Sequence, residues 1–272
     1  MGQESLEQWS NDGDNGESAD STEVPDRCLS ITIRGPWGHF RRIEGNIVKQ
    51  TYRIIPRTTV AGLLAAVMGI ERDGYYELFS PGNSAIAIEP VREIRTINMP
   101  MNTLSTSAGN LQSLNGRGKI SVKLPDPTTL RQQHNYEVLV EPAYRIDVSL
   151  ANDERYRELR NTLEAGKSHY VPSLGLSEHL AEIEYHGNFE VETDHGGDQT
   201  EVNSAVPNAV EDVVLEPGTR CQVEESPAFM RRDAGGRTTA GFTAYTYNPD
   251  AGPLTVKNVD PARVDGRTVV FV

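Results

Sequence analysis

The chain has 272 residues, is 37% hydrophobic and 24% charged, and carries 39 acids against 26 bases for a net charge of −13. That composition fits a globular protein with a sizeable core, no run reaches the ~18 apolar residues of a membrane span, and Cys28 and Cys221 are too few for a disulfide framework. The opening residues have neither the basic stretch nor the apolar run of a secretory signal, so a cytoplasmic location is expected.

Residues 1–26 hold eight acids and no base among Gly, Ser and Asn, which predicts a disordered acidic tail. Cys28–Arg34 alternates apolar and polar residues, predicting a strand that Gly35-Pro36-Trp37-Gly38 ends. After Pro56, Val60, Leu63, Leu64, Val67 and Met68 follow helical spacing, with a threonine N-cap and Gly69 as the stop. Ala85–Ile94 predicts a second strand, and Tyr136–Leu150 a third, bent at Pro142. Asn152 caps a second helix with Asp153 and Glu154 in its first turn. Tyr156, Leu159 and Leu163 form its buried stripe, and Gly166 ends it. Leu180–Val191 alternates again as a fourth strand. The order βαββαβ, with a long insertion between the middle strands, predicts an α+β fold of ferredoxin-like or RRM type. Residues 27–205 would form that domain, with an inserted hairpin at about 96–130, and 206–272 a small β-rich C-terminal lobe.

The bases are unevenly placed. Residues 27–60 hold seven against Glu44 alone, and 91–131 hold six against two acids, whereas 132–216 hold five against 18. Only five of the 26 are Lys, and many acids with scarce Lys is the pattern of proteins in very salty cytoplasm. At molar salt the Debye length is ~3 Å, so a polyanion would be held by short bidentate Arg contacts and stacking. Arg34, Trp37, His39, Phe40, Arg41, Arg42, Lys49, Tyr52, Arg53 and Arg57 interleave cations with aromatic rings, the pattern used for single-stranded RNA. The plainer reading of Trp37 and Phe40 is as core anchors beside a tight turn. In the insertion, Arg117, Lys119 and Lys123 join the RNA-binding set, and Gly116 and Gly118 suit either close approach to a ligand or a hairpin tip. Arg231 and Arg232 form a third basic spot, read as solvated surface. There is no GxGxxG, P-loop, HExxH or CxxC, and His169, His179, His186 and His195 lack zinc-ligand spacing. No cofactor, metal or catalytic residue is expected.

Gly35-Pro-Trp-Gly-His-Phe-Arg-Arg42, Thr51-Tyr-Arg-Ile-Ile-Pro-Arg-Thr-Thr-Val-Ala-Gly-Leu-Leu-Ala-Ala66 with Gly69-Ile70, and Tyr170-Val-Pro-Ser-Leu-Gly-Leu-Ser177 resemble the signatures of the CRISPR-associated "Cas five" family. The variant is most similar to that of type I-B systems. The resemblance implies an RRM-like, non-catalytic subunit of the Cascade surveillance complex that grips the 5′ handle of the CRISPR RNA. Its partners would be that RNA, the backbone subunit through a thumb hairpin at 96–130, the large subunit nearby, and target DNA indirectly, with no membrane. Guide pairing would carry sequence recognition. One branch of the family cuts repeat RNA without metal, and Tyr52, His39 and Lys119 could form such a site. That branch carries a Lys-His pair, whereas Lys119 is followed by Ile120.

Overall fold

The structure, a computed structural model, describes residues 24–42, 48–104, 131–194, 198–233 and 236–272. Nearly all of the acidic tail and most of the insertion lie outside these ranges. In chain order the strands begin with β1 (Arg27–Arg34), β2 (Trp37–Gly38), β3 (Phe40–Arg41), β4 (Val48–Lys49) and β5 (Thr51–Tyr52). Helix α1 (Arg57–Met68) is followed by β6 (Ser84–Pro90), β7 (Arg95–Leu104), β8 (Arg131–Val140), β9 (Ala143–Leu150), helix α2 (Asp153–Glu164) and β10 (Glu182–Glu190). The remainder comprises β11 (Glu192–Thr193), β12 (Thr200–Val202), β13 (Val206–Pro207), β14 (Val213–Val214), the long β15 (Gln222–Asp233) and β16 (Gly236–Tyr247), β17 (Leu254–Val256), β18 (Ala262–Val264) and β19 (Arg267–Val269). The described chain is thus mostly β, with two α-helices.

The central sheet runs β10-β1-β9-β6 with every neighbour antiparallel. The two-residue period of β1 sends Leu29, Ile31 and Ile33 into one core with Val60 and Leu64 of α1 and Tyr156 and Leu159 of α2. Each such side chain contributes about 1.5–3 kcal/mol by leaving water. The expected start of α1 is corrected. Pro56, not a threonine, occupies the N-cap position in extended geometry, and its carbonyl accepts from the backbone N–H groups of Thr59 and Val60. The helix begins earlier because Arg57 is drawn wholly inward. Its guanidinium donates to the carbonyls of Phe79, Ser84 and Val272 and lies 4.3 Å from the centre of the Phe229 ring. Gly69, at φ 74°, ends the helix as expected. The Asn152 cap of α2 and its buried stripe of Tyr156, Leu159 and Leu163 are also as expected.

The predicted third strand is two strands. Glu141 adopts φ 47° and Pro142 offers no N–H, so β8 stops at Val140 and β9 starts afresh at Ala143. The predicted second strand likewise ends at Pro90, and Arg95 onward belongs to β7. β7 and β8 pair antiparallel from Arg95 opposite Val140 to Leu104 opposite Arg131. The other edge of β8 takes β2 at Trp37 opposite Val140 and, in parallel, β4 at Lys49 opposite Tyr136. Residues 37–38 and 48–49 are therefore tied to β8 at the base of this hairpin.

Residues 206–272 are β-rich, and they pack into the body. Tyr245, Tyr247 and Val272 share the main core, while Ala262, Val264, Val269 and Phe271 cover the second face of the central sheet at Cys28, Ala85 and Ala87. There Arg267 donates to Glu89 at 2.6 Å and to both oxygens of the fully buried Asp147 at 2.8 and 3.0 Å. Ser30 and Arg145 extend this network to Asp265. Among the described residues, no helix is long and apolar enough to cross a membrane.

Candidate nucleic-acid interface

The two sequence segments 35–42 and 170–177 are far apart in the chain and interlock in space. The His39 N–H donates to the Leu174 carbonyl at 3.0 Å, and the Leu174 N–H donates to that of His179 at 2.7 Å. Gly175 sits at φ 91°, and a Cβ there would lie 1.9 Å from the His39 carbonyl oxygen. A Cβ on Gly35 would lie 2.7 Å from the Leu180 carbonyl oxygen. Backbone meets backbone at both points, which only glycine permits.

Four of the thirteen predicted binding residues are buried. Phe40, Tyr52, His39 and Arg57 are 2%, 7%, 1% and 0% exposed, so all four are core or brace residues and not stacking platforms. The His39 Nδ1–H donates to the Glu137 carbonyl at 2.8 Å, its ring meets Tyr136 edge-on, and its Nε2 takes no partner. Buried His179 also leaves Nε2 unpartnered. Burial holds both imidazoles below their ordinary pKa of 6.5, with Glu137 and Glu178 pulling His39 up, Arg41 pushing it down, and Glu178 and His39 acting on His179. The unfolded chain therefore takes up protons that the folded chain refuses. Stability is complete above pH 6.5 and falls as pH drops through it. A thermal melt at about pH 5 is expected below that at about pH 7.5, and replacing both histidines by Gln narrows the difference, with His186, also held down by burial, supplying part of the rest.

Arg42 and Arg53 are held by glutamates that the sequence reading did not single out. Arg53 Nη2 donates to Glu137 Oε1 at 2.8 Å, while the backbone N–H groups of Arg53 and Ile54 donate to Glu224 Oε2 at 2.6 and 3.0 Å. Arg42 Nη1 lies 3.6 Å from Glu224 Oε1, and its guanidinium stands 5.3 Å from the centre of the Tyr52 ring. Glu137 also accepts from the Thr51 N–H and the Thr96 hydroxyl, so the lattice joins the hairpin base to segment 51–54. Burial pushes the Glu224 carboxyl up, opposed by those backbone donors and both arginines. Glu224 is 171 residues from Arg53, and no local pattern pairs them.

Arg41 is exposed, and Trp37 and Lys49 are half-buried. Arg34 is exposed and paired with Glu182 and Glu184 at 3.1 and 3.6 Å, contacts that solvent makes weak and exchangeable. Arg117, Lys119 and Lys123 lie outside the described residues.

The family described as "CRISPR-associated protein (Cas_Cas5)" matches residues 28–239, which includes every element of this seam. The chain belongs to that family. No protein of curated function matches the sequence. The fold is similar to that of a CRISPR protein from Archaeoglobus fulgidus, at 15% identity over 89% of this chain and 98% of that one, with a TM-score of 0.54. A chain of a CRISPR RNA-guided surveillance complex aligns at 10% identity over 85% and 91%, with a TM-score of 0.48. A chain of a type III-B Cmr-beta complex bound to cognate target RNA aligns at 11% over 83% and 86%, with a TM-score of 0.44. The matched range holds both interlocked segments, 35–42 and 170–177.

Proposed function

We propose that this chain is a non-catalytic subunit of a type I CRISPR effector complex and holds the 5′ handle of the CRISPR RNA on Trp37, Arg41 and Lys49. Arg42 and Arg34 would exchange their carboxylates for phosphate as the RNA arrives. The observation that carries this reading is the division of the basic segment. Its rings and Arg57 brace the fold from behind, while the remaining cations and Trp37 keep exposed surface. In this reading the four-stranded sheet with its two helices is a ferredoxin-like, RRM-type body of a cytoplasmic, type I-B-like, salt-adapted subunit. The β7–β8 hairpin is the thumb toward the backbone subunit, with the large subunit beside it. RNA is gripped at segment 34–53 and not on the sheet face, because β18 and β19 cover that face.

The alternative is metal-independent cleavage of repeat RNA by Tyr52, His39 and Lys119. A general base must reach the reacting proton, and the burial of Tyr52 and His39 supports the non-catalytic reading. Fluorescence anisotropy with handle RNA tests the proposal. Trp37→Ala should weaken binding roughly 5- to 150-fold, the value of one stacked base. Arg41→Ala with Lys49→Ala should lower the salt slope by about 1.4, for two phosphates on a single strand. Unchanged affinity and slope in both folded variants would reject the assignment.

A further inference from the structure

Arg72, Arg232 and Arg237 gather around Asp73 at the far end of the β15–β16 hairpin, while Arg231 falls on its other face. Arg232 stands directly opposite Arg237 in the strand register, and Arg231 opposite Thr238. Like charges placed across a strand pair destabilise it. Asp73 offsets part of this: it lies 3.4 Å from Arg237, accepts from the Tyr76 hydroxyl at 2.7 Å, and its carboxyl is held below the usual range by that bond and by Arg237, Arg72 and Arg232. Asp233 accepts from Thr238, and Glu71 is exposed at the rim. Among the described residues, Arg72, Arg231 and Arg232 have no ion-pair partner within 4.0 Å.

Beside this cluster is an open groove of about 630 Å³. Gly62, Ala65 and Ala66 of α1 form its floor, Tyr75 and Tyr170 its walls, and Arg72 its end. Tyr170 is 49% exposed, and Tyr75 is backed edge-on by Tyr76 with ring centres 4.8 Å apart. A cation at the rim of a small-residue floor, with exposed Tyr170 on one side and half-buried Tyr75 on the other, suits phosphates and base faces of one strand. The tip is eight residues along β15 from Glu224, roughly 25 Å at strand spacing, and so is separate from the handle site.

We propose that the described end of β15, at Arg232, and this groove bind single-stranded DNA, with phosphates on Arg72 and Arg232 and bases against Tyr75 and Tyr170. An effector that pairs its guide with one DNA strand frees the other, and a stacking site without base-edge donors accepts any sequence. The inference rests on the proposed DNA-targeting complex but not on the handle reading.

The test is anisotropy of full-length protein with oligothymidylate, oligouridylate and a duplex of equal length, across salt. Arg72→Ala with Arg232→Ala is expected to weaken oligothymidylate binding about tenfold or more and to lower its salt slope by about 1.4, for two phosphates on a single strand. An unchanged melting temperature certifies the fold of that variant, and its handle-RNA affinity should equal that of wild type. Tyr75→Ala should weaken the same binding, and Tyr75→Phe should retain it. Oligothymidylate affinity and slope equal to wild type in the double variant would overturn the proposal. So would wild-type protein that does not bind oligothymidylate, or that binds oligouridylate or duplex equally through these arginines.

Discussion

Gly175→Ala is expected to separate the two interlocked segments, 35–42 and 170–177, and to abolish the handle site together with about 3 kcal/mol or more of stability. Two causes add. A non-glycine residue at φ 91° costs about 1–3 kcal/mol. The new Cβ would also overlap the His39 carbonyl at 1.9 Å, and neither partner is a flexible side-chain end that can yield. Relief requires opening the His39–Leu174 hydrogen bond, which leaves buried backbone groups unpaired. Gly218 serves as the control: it has φ 90° with nothing near its missing Cβ, so Gly218→Ala carries only the conformational cost. Equal chemical-denaturation midpoints for the two variants would show that the seam yields and would remove this account of it.

Arg267→Met is expected to be about as severe. Asp147 is fully buried and takes two of its hydrogen bonds from Arg267, with Ser30 the remaining donor. Removing one member of a buried pair leaves a desolvated charge and costs about 3–5 kcal/mol, a fall in melting temperature on the order of 10 °C. The loss also frees Glu89 and loosens β18 and β19 from the central sheet. Arg267→Met with Asp147→Asn should recover part of the loss, since the second change removes the stranded charge. A single-variant cost below about 1 kcal/mol would mean that water reaches Asp147 and that this network does not fasten the C-terminal strands.

The elements most legible in the sequence were those with local signals. Strand β1 followed its alternation, α2 followed Asn152 and its stripe, and α1 ended at Gly69. The start of α1 was misread because threonines near a helix start suggest a cap, whereas the burial of Arg57 is set by carbonyls from Phe79, Ser84 and Val272 that lie elsewhere in the chain. The break at Pro142 was visible as a bend, but the backbone turn at Glu141 that makes two strands was not. At the candidate site, the sequence showed that cations and rings alternate. It could not show which of them face inward, because that depends on the approach of segment 170–180 and of Glu137 and Glu224. Arg231 and Arg232 were visible in the sequence as a basic spot, but 217–272 is balanced at seven bases and six acids, and only the β15–β16 register and the approach of Asp73 bring Arg232 beside Arg237 and Arg72.

The most direct measurement is ultraviolet crosslinking of the protein within its native complex, followed by mapping of RNA adducts by mass spectrometry. Adducts on Trp37 and its neighbours Arg41 and Lys49, carrying nucleotides from one repeat-derived 5′ end, are the predicted result. Adducts absent from residues 34–53, in a complex that still retains its guide RNA, would contradict the central claim.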